Sequence, residues 1–511
     1  DMESTLDVVE EMLEDKDVRI DHRAVVRARI FDNLIGDWDR HDDQWRWRET
    51  KRGEERIFTP IPRDRDQAFS RYDGALVAFI RQFTGVTKQF RSYSKVIKNI
   101  KWSNYNARNF DPTFLNASEW AVWEQEARFL QTKLTDEVIE QAFGEALPPP
   151  VYEQDARWIM ARLKARRDNL LDIARRLYEF VSEEVDVMGT DGRELFVVER
   201  LSDDSTRVSV FDTNKEGERE ALLYRRVFLT NETKEIRLYG LEDEDIFRIV
   251  GDVDDGILLR VIGGLDEDTF IDESQVRKPG KQTILYDAKN EERILNIGSE
   301  TRQRFSKDPE LNSYNRRADD YEYNFGFFLP TIAINPDDGL LLGGMAQYTT
   351  YGFKKSPYAT KHMFSVDYAL ATSGMRFRYN GEYTAVLGKW DVLLDAQFNT
   401  PLYAINFYGL GNETPNPEEE LGKNYNRVRQ RLVSVEPALL RRANEAFSWS
   451  IGPTFESIRI DSTEGRFIEE FTSVYDPELF DGLEFLGVHF NMNLHNVDNP
   501  AFPTQGVGAN L

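Results

Sequence analysis

The sequence predicts an α+β multidomain chain in three parts. A helical domain spans residues 1–184, a small β-solenoid-like module spans 185–320, and an incomplete antiparallel transmembrane β-barrel spans 321–511. Three observations carry that expectation. Apolar residues recur at spacings of three and four in the first part, a string is nearly repeated in the second, and long stretches of the third alternate with period two.

Composition sets the outer limits. A chain of 511 residues has room for about two to four domains. With 90 acidic and 65 basic residues the formal net charge is -25. A general nucleic-acid binder needs a basic footprint to displace counterions, so that class is excluded. The acidic balance suits divalent cations as well as a solvated surface. The absence of cysteine fits an exported protein. No apolar run reaches the ~18 residues of a transmembrane helix. The first residues, Asp1-Met2-Glu3-Ser4, have neither the basic nor the apolar region of a signal peptide, so the natural polypeptide is expected to begin further upstream.

In the helical part, Leu163, Leu170, Ala174, Leu177 and Val181 share one face of a helical span over 152–184, and Leu147-Pro148-Pro149-Pro150 breaks the chain before it. Such stripes are core packing. The chemistry-bearing stretch is residues 31–44, where an apolar helix face ends at Gly36, a natural C-cap, and runs into Asp37-Trp38-Asp39-Arg40-His41-Asp42-Asp43-Gln44. Phosphoryl-transfer catalytic loops use a carboxylate beside an arginine and a histidine in this way. The Asp accepts the hydroxyl proton, and a polar residue five positions on helps hold metal, which is the spacing of Asp39 and Gln44. Pro62-Arg63-Asp64-Arg65-Asp66-Gln67-Ala68-Phe69 follows an expected hairpin (45–47, then 56–61) and supplies a second carboxylate pair.

This pattern, D-R-H and then D-x-D-x-x-F, resembles the C-lobe of CotH-like and secretory-pathway kinases. The resemblance implies Asp39 and His41 as catalytic residues and Asp64 or Asp66, with Gln44, as ligands of Mg²⁺. Two features depart from it: Gln44 stands where kinases have Asn, and only 38 residues precede Asp39, too few for a nucleotide-clamping N-lobe. A salt-bridged loop that anchors helices accounts for the same residues.

Between 185 and 296, short apolar strands are expected at 196–198, 208–211, 236–239 and 258–262. The string from Gly240 to Phe247 matches that from Gly264 to Phe270 at an offset of 23 or 24, which suggests stacked coils. Residues 263–270 partly resemble the calcium-binding nonapeptide, which implies Ca²⁺ near Asp245, Asp266 and Asp268, although Asp266 replaces its fourth-position Gly.

In the last part, Met375, Phe377, Tyr379, Tyr383, Ala385 and Leu387 fall on one face and Arg376, Arg378, Asn380, Glu382 and Thr384 on the other. Trp390 to Phe398 and Leu486 to Leu494 repeat the alternation. Soluble sandwiches alternate too, but their strands run about 5–6 residues, shorter than these. Tight turns at 335–339 and 372–374 contrast with long polar segments at 412–426 and 460–482, as in an outer-membrane barrel. The strings Asn406-Phe407-Tyr408-Gly409-Leu410-Gly411-Asn412-Glu413-Thr414 and Asp498-Asn499-Pro500-Ala501-Phe502-Pro503-Thr504-Gln505-Gly506 resemble the surface-antigen barrel of the Omp85 superfamily. That resemblance implies a sixteen-stranded barrel of which this chain holds about half. The order of parts resembles Bacteroidota outer-membrane proteins in which a metallophosphoesterase is fused to such a barrel, with the enzyme upstream of Asp1.

The expected function is therefore an outer-membrane barrel with a periplasmic soluble region, acting in translocation, assembly or partner docking. Its partners would be outer-membrane lipid and other envelope proteins, not nucleic acid. The alternative is a membrane-tethered phosphoryl-transfer or phosphoesterase enzyme working through the Asp39 loop.

Overall fold

The computed structural model describes residues 2–83, 87–289, 293–335, 338–444, 446–475, 477–499 and 501–511. Pro336 and Asp337 of the expected tight turn, and Pro500, lie outside these. The chain divides into two compact units, Asp1–Val77 with Lys88–Arg317 and Ala78–Thr87 with Ala318–Leu511.

The first unit begins with helix Thr5–Glu14, whose start is fixed by a capping box between Ser4 and Asp7. Helix His22–Ile35 is capped by the Asp21 side chain and ends at Gly36, whose φ of 76° only glycine adopts without strain. These helices accompany a four-stranded sheet in the order Met2–Glu3, Trp45–Arg52, Glu55–Pro62, Val18–Ile20. Its inner face carries Trp45, Trp47 and Phe58, each fully buried. Trp45 stacks on Phe110 with centroids 4.4 Å apart. The helical span expected over 152–184 is two helices, Arg157–Asp168 and Leu170–Ser182, joined at Asn169. Asn169 closes the first and starts the second because its backbone (φ −101°, ψ 17°) leaves the helical region. Leu163, Leu170, Ala174 and Leu177 are buried as the spacing predicts, whereas Val181 is only partly so.

From Glu184 the same unit continues as a parallel solenoid. One sheet stacks Glu184–Met188, Glu235–Leu241, Leu258–Gly264, Thr283–Tyr286 and Thr301–Gln303. The other stacks Glu194–Ser202, Ile246–Val250, Thr269–Asp272 and Arg293–Asn296. Pairing of Ile246 with Thr269 and of Leu259 with Thr283 gives the steps of 23 and 24 residues. Inward-facing Val185, Ile236, Leu238, Phe247, Leu259, Val261, Phe270 and Leu285 fill the space between the sheets. An antiparallel pair, Ser205–Thr213 and Arg219–Leu229, extends the second sheet beyond Glu194–Ser202.

The second unit is a 10-stranded antiparallel sheet whose path runs from Phe325–Asn335 to Gly506–Asn510. Its strands are long: 13 residues in Met375–Leu387, 16 in Arg427–Arg442 and 15 in Leu483–Val497. The register places Ile332, Leu342, Tyr368, Met375 and Phe377 side by side across neighbouring strands on one face, followed by Phe398 and Val433. Further along, Leu439, Ile451 and Phe490 continue that face. Its members are largely exposed, Ile332 at 75 %, Val488 at 76 % and Leu486 at 83 %. The opposite face is polar and internally paired. Arg376 Nη2 donates to Asp367 Oδ2 at 2.6 Å, Arg378 Nε to Gln397 Oε1 at 3.1 Å, and Arg442 binds both Glu382 and Asp391. Strand Met375–Leu387 has an irregularity between Tyr383 and Leu387, where Ala385 takes a φ of 50°. The two end strands of the path do not pair with each other, so the sheet is open among the described residues.

Candidate functional site

The loop after Gly36 is built on a buried charged platform. Asp32, with no exposure, meets three guanidinium groups: Arg29 at 3.4 Å, Arg40 at 3.2 Å and Arg65 at 3.0 Å. Arg29 also forms a fork with Asp111 (2.7 and 3.0 Å) and donates to Asn104 Oδ1 at 2.7 Å. Charges this deep persist only because each is paired and hydrogen-bonded. Asp37 lies at the platform's edge, and burial pushes its carboxyl up to about 6 against the opposing pull of Arg40.

Arg40 fixes the two candidate loops to each other. Its Nη1 donates to the carbonyls of Arg63 (2.7 Å) and Asp64 (3.2 Å), and its Nη2 to that of Gln44 (3.1 Å). Its guanidinium stacks over Trp45 at 4.5 Å. Above it stand the predicted residues. Asp39 receives a hydrogen bond from Asn106 Nδ2 at 2.5 Å, while its backbone N–H donates to Asp37 Oδ1 at 3.3 Å. His41 Nε2 is 3.8 Å from Asp39 Oδ1. Gln44 Nε2 lies 3.5 Å from both His41 Nε2 and Asp64 Oδ2. The structure thus gathers Asp39, His41, Gln44 and Asp64; Asp64 and Asp66 are both exposed on the same loop, and only Asp64 comes within 3.5 Å of Gln44 among the contacts described. Asp64 sits at a φ of 47°, a left-handed conformation that among non-glycine residues Asn, Asp and His adopt most readily.

Two side chains bear on metal chemistry. Gln44 Oε1 is buried with no hydrogen-bond partner, and Asp64 is adjacent. One amide oxygen and one carboxylate match the few protein ligands that Mg²⁺ takes when waters and phosphates complete its shell. Among the described residues no group of three acidic or histidine side chains converges on one point. Asp42 belongs to the scaffold instead: Arg316 holds it by a fork at 2.8 and 2.9 Å. Sequence spacing missed Asn104, Asn106 and Asp111. Their only local signal is the density of Asn and Asp in residues 99–111.

The residues expected to hold Ca²⁺ are placed differently from one another. Asp245 and Asp268 are buried inside the solenoid and accept backbone N–H groups of neighbouring coils, whereas Asp266 is exposed and accepts the N–H of Asp243.

No family model matches the chain, and no curated protein does. Among solved structures, the chain is similar to BamA from Haemophilus ducreyi lacking POTRA domains 1–3. That likeness has 12% sequence identity and a TM-score of 0.26, and it covers 37% of this chain and 33% of that one. A superposition this loose carries no argument about the present chain. No helix among the described residues is long and apolar enough to cross a membrane, which leaves crossing by strands untouched.

Proposed function

We propose that residues 318–511 form part of an outer-membrane β-barrel of the Omp85 kind, serving translocation, assembly or partner docking. The soluble unit would lie in the periplasm. The observation that carries this is the continuous apolar face of the antiparallel sheet, with Val488 and Leu486 among its most exposed members. An exposed apolar patch beyond a few hundred Å² is rare on a soluble monomer and calls for a cover. A bilayer is that cover for strands of this length, since about 9–11 residues span the hydrocarbon. The paired polar face then suits a wet lumen. Trp390 and Trp449, packed edge to face at 5.0 Å near the ends of the two strands that flank Arg427–Arg442, fit an interfacial girdle.

The chain has no cysteine, so single cysteines report position cleanly. Cysteines at 486, 488 and 490, labelled with a polarity-sensitive dye in lipid vesicles, are expected to report hydrocarbon. Those at 487, 489 and 491 should report water. Uniform signals along the strand, or a chain that stays monomeric in water without binding vesicles, would overturn the proposal.

A second reading rests on the gathering of Asp39, His41, Gln44 and Asp64. It is phosphoryl transfer with Asp39 as base and Gln44 and Asp64 toward Mg²⁺. Mg²⁺-dependent nucleotide binding that is lost in Asp39→Ala would support it. Equal, Mg²⁺-independent behaviour of both proteins would refute it and leave the loop as a scaffold.

A further inference from the structure

The helical part of the first unit carries a concentration of basic charge that neither reading uses. Residues 74–110 contain seven basic and no acidic residues, in a chain with 90 acids and a net charge of -25. Six of the seven are Lys88, Arg91, Lys95, Lys98, Lys101 and Arg108. Lys95 and Lys98 are exposed, whereas the other four are half-buried. A solvated face accounts for the exposed pair. It does not account for the rest, because taking a cation out of water costs free energy that an exposed one avoids.

Aromatic rings set the half-buried cations in place. Phe90, which lies between Lys88 and Arg91 in the chain, packs edge to face on Trp38 with centroids 4.9 Å apart and stacks on Tyr72 at 5.3 Å. Lys88 Nζ lies 4.9 Å over the Trp102 ring. Trp102, next to Lys101, tilts against Tyr105 at 5.3 Å, and Arg108 lies over Tyr105 at 4.3 Å. Asn106 then donates to Asp39 at 2.5 Å. The cluster therefore borders the candidate loop from two directions, through Trp38 and through Asn106.

The charged groups that act on Lys88 are both cations. Burial, together with Arg91 and Lys101, holds its ammonium below the usual lysine range, and Lys101 is lowered by burial against the pull of Glu183 and Glu184. Like charges gathered under partial burial focus their field and prepare a place for an ion of opposite sign. Trp38 supplies an independent sign of the same kind. Its Nε1–H is buried and has no hydrogen-bond partner. A buried donor without an acceptor costs about 1–3 kcal/mol, a cost that a ligand oxygen would remove.

We propose that Lys88, Arg91 and Lys101, with the indole N–H of Trp38, bind a phosphate group of a soluble ligand. Phosphate fits because it brings a charge of about -1.5 to -2 near pH 7 and three acceptor oxygens, so one group serves several cations and the indole donor together. A carboxylate brings a single charge and two oxygens. Placement between aromatic rings favours a ligand that enters the cluster over a bilayer surface, which would meet the exposed Lys95 and Lys98 first. Such binding is independent of the barrel. It borders the site of the phosphoryl-transfer reading but requires neither Mg²⁺ nor a proton transfer at Asp39.

Calorimetric titration of the full chain in neutral detergent micelles with sodium tripolyphosphate, in EDTA and at constant ionic strength, tests it. Saturable binding is expected. Lys88→Gln with Lys101→Gln should weaken it more than about tenfold, since two charge-assisted hydrogen bonds are lost. Lys95→Gln with Lys98→Gln removes the same charge from exposed positions and should weaken it less than about threefold. In the wild type alone, tripolyphosphate should raise hydrogen-exchange protection of peptides covering 88–108 and leave those covering 258–272 unchanged, a measurement that needs no variant. Absence of saturable binding would overturn the proposal, as would an equal gain in both sets of peptides. Equal weakening by the two double variants would overturn it in favour of diffuse charge attraction. Protection of 88–108 by phosphatidylglycerol added to the micelles, and not by tripolyphosphate, would overturn it in favour of a lipid headgroup.

Discussion

Replacing Arg40 with alanine probes whether the loop bearing Asp39 is set by one buried guanidinium. Arg40 has no exposed surface, satisfies the carbonyls of Gln44, Arg63 and Asp64, and faces Asp32 and Asp37. Stranding the partner of a buried ion pair costs about 3–5 kcal/mol, and each carbonyl left unsatisfied about 1–3 kcal/mol. Arg29 and Arg65 still neutralise Asp32, which offsets part of the ionic loss. The net is a destabilisation of at least about 4 kcal/mol. With a urea slope of about 2 kcal/mol/M, that moves the unfolding midpoint by about 2 M. Tryptophan fluorescence is the assay, since Trp45 and Trp47 are buried beside the loop. Arg40→Lys keeps the charge without the fork and should recover less than half of the shift. A change below about 1 kcal/mol in Arg40→Ala would refute the argument that this side chain joins the two loops.

Asp37 gives a pH signature. Its folded carboxyl, raised by burial to about 6, makes its contribution fully present below the unfolded value near 4 and lost as pH rises through about 6. Over that window the stability difference between wild type and Asp37→Asn should change by roughly 3 kcal/mol, read from urea midpoints at each pH. Gly240→Ala would drive a methyl into Asp245 and into the carbonyl of Gly263, and a loss of about 3 kcal/mol or more is expected from thermal or urea melts of the first unit. On the sheet, Val488→Lys should lower the stability of vesicle-inserted protein by about 2–4 kcal/mol, while Asn491→Lys on the opposite face should change it by less than 1. Equal effects would remove the distinction between the two faces.

The alternation of the long strands was legible because each residue of a period-two strand maps onto one of two faces. Phe377 and Phe398 could be assigned to a common face before their pairing was known. The coil repeat was legible where stacking is regular, as where Tyr239 and Leu241 stand beside Ile262 and Gly264, one residue off the Gly240/Gly264 match read in the sequence. It was illegible at the first coil, where Glu184 pairs with Glu235 across an inserted antiparallel pair and the step is no longer 23 or 24. Gly36 announced its cap through local chemistry, but nothing local distinguished Asn169 as a helix junction. The gathering of Asp39 with His41 and Gln44 follows from short spacing. Asn106 and Asp111 reach the site from 67 and 82 residues away, a relation no spacing argument sees. Asp245 and Asp268 look like solvated turn acids in sequence, and only the stacking of coils shows that they point inward.

The antiparallel pair Ser205–Thr213 and Arg219–Leu229 has a consequence for growth of the module. A parallel stack offers unpaired backbone groups at its ends, a template on which another chain can polymerise. By folding back beside Glu194–Ser202, this pair gives one sheet a terminus of different geometry from the repeating coils. Coils can then be gained or lost in whole steps behind it without rebuilding the end, each changing the length by about 4.8 Å. A module of this kind behaves as an adjustable spacer, tuned in discrete increments by duplication of a stretch like that between Gly240 and Gly263.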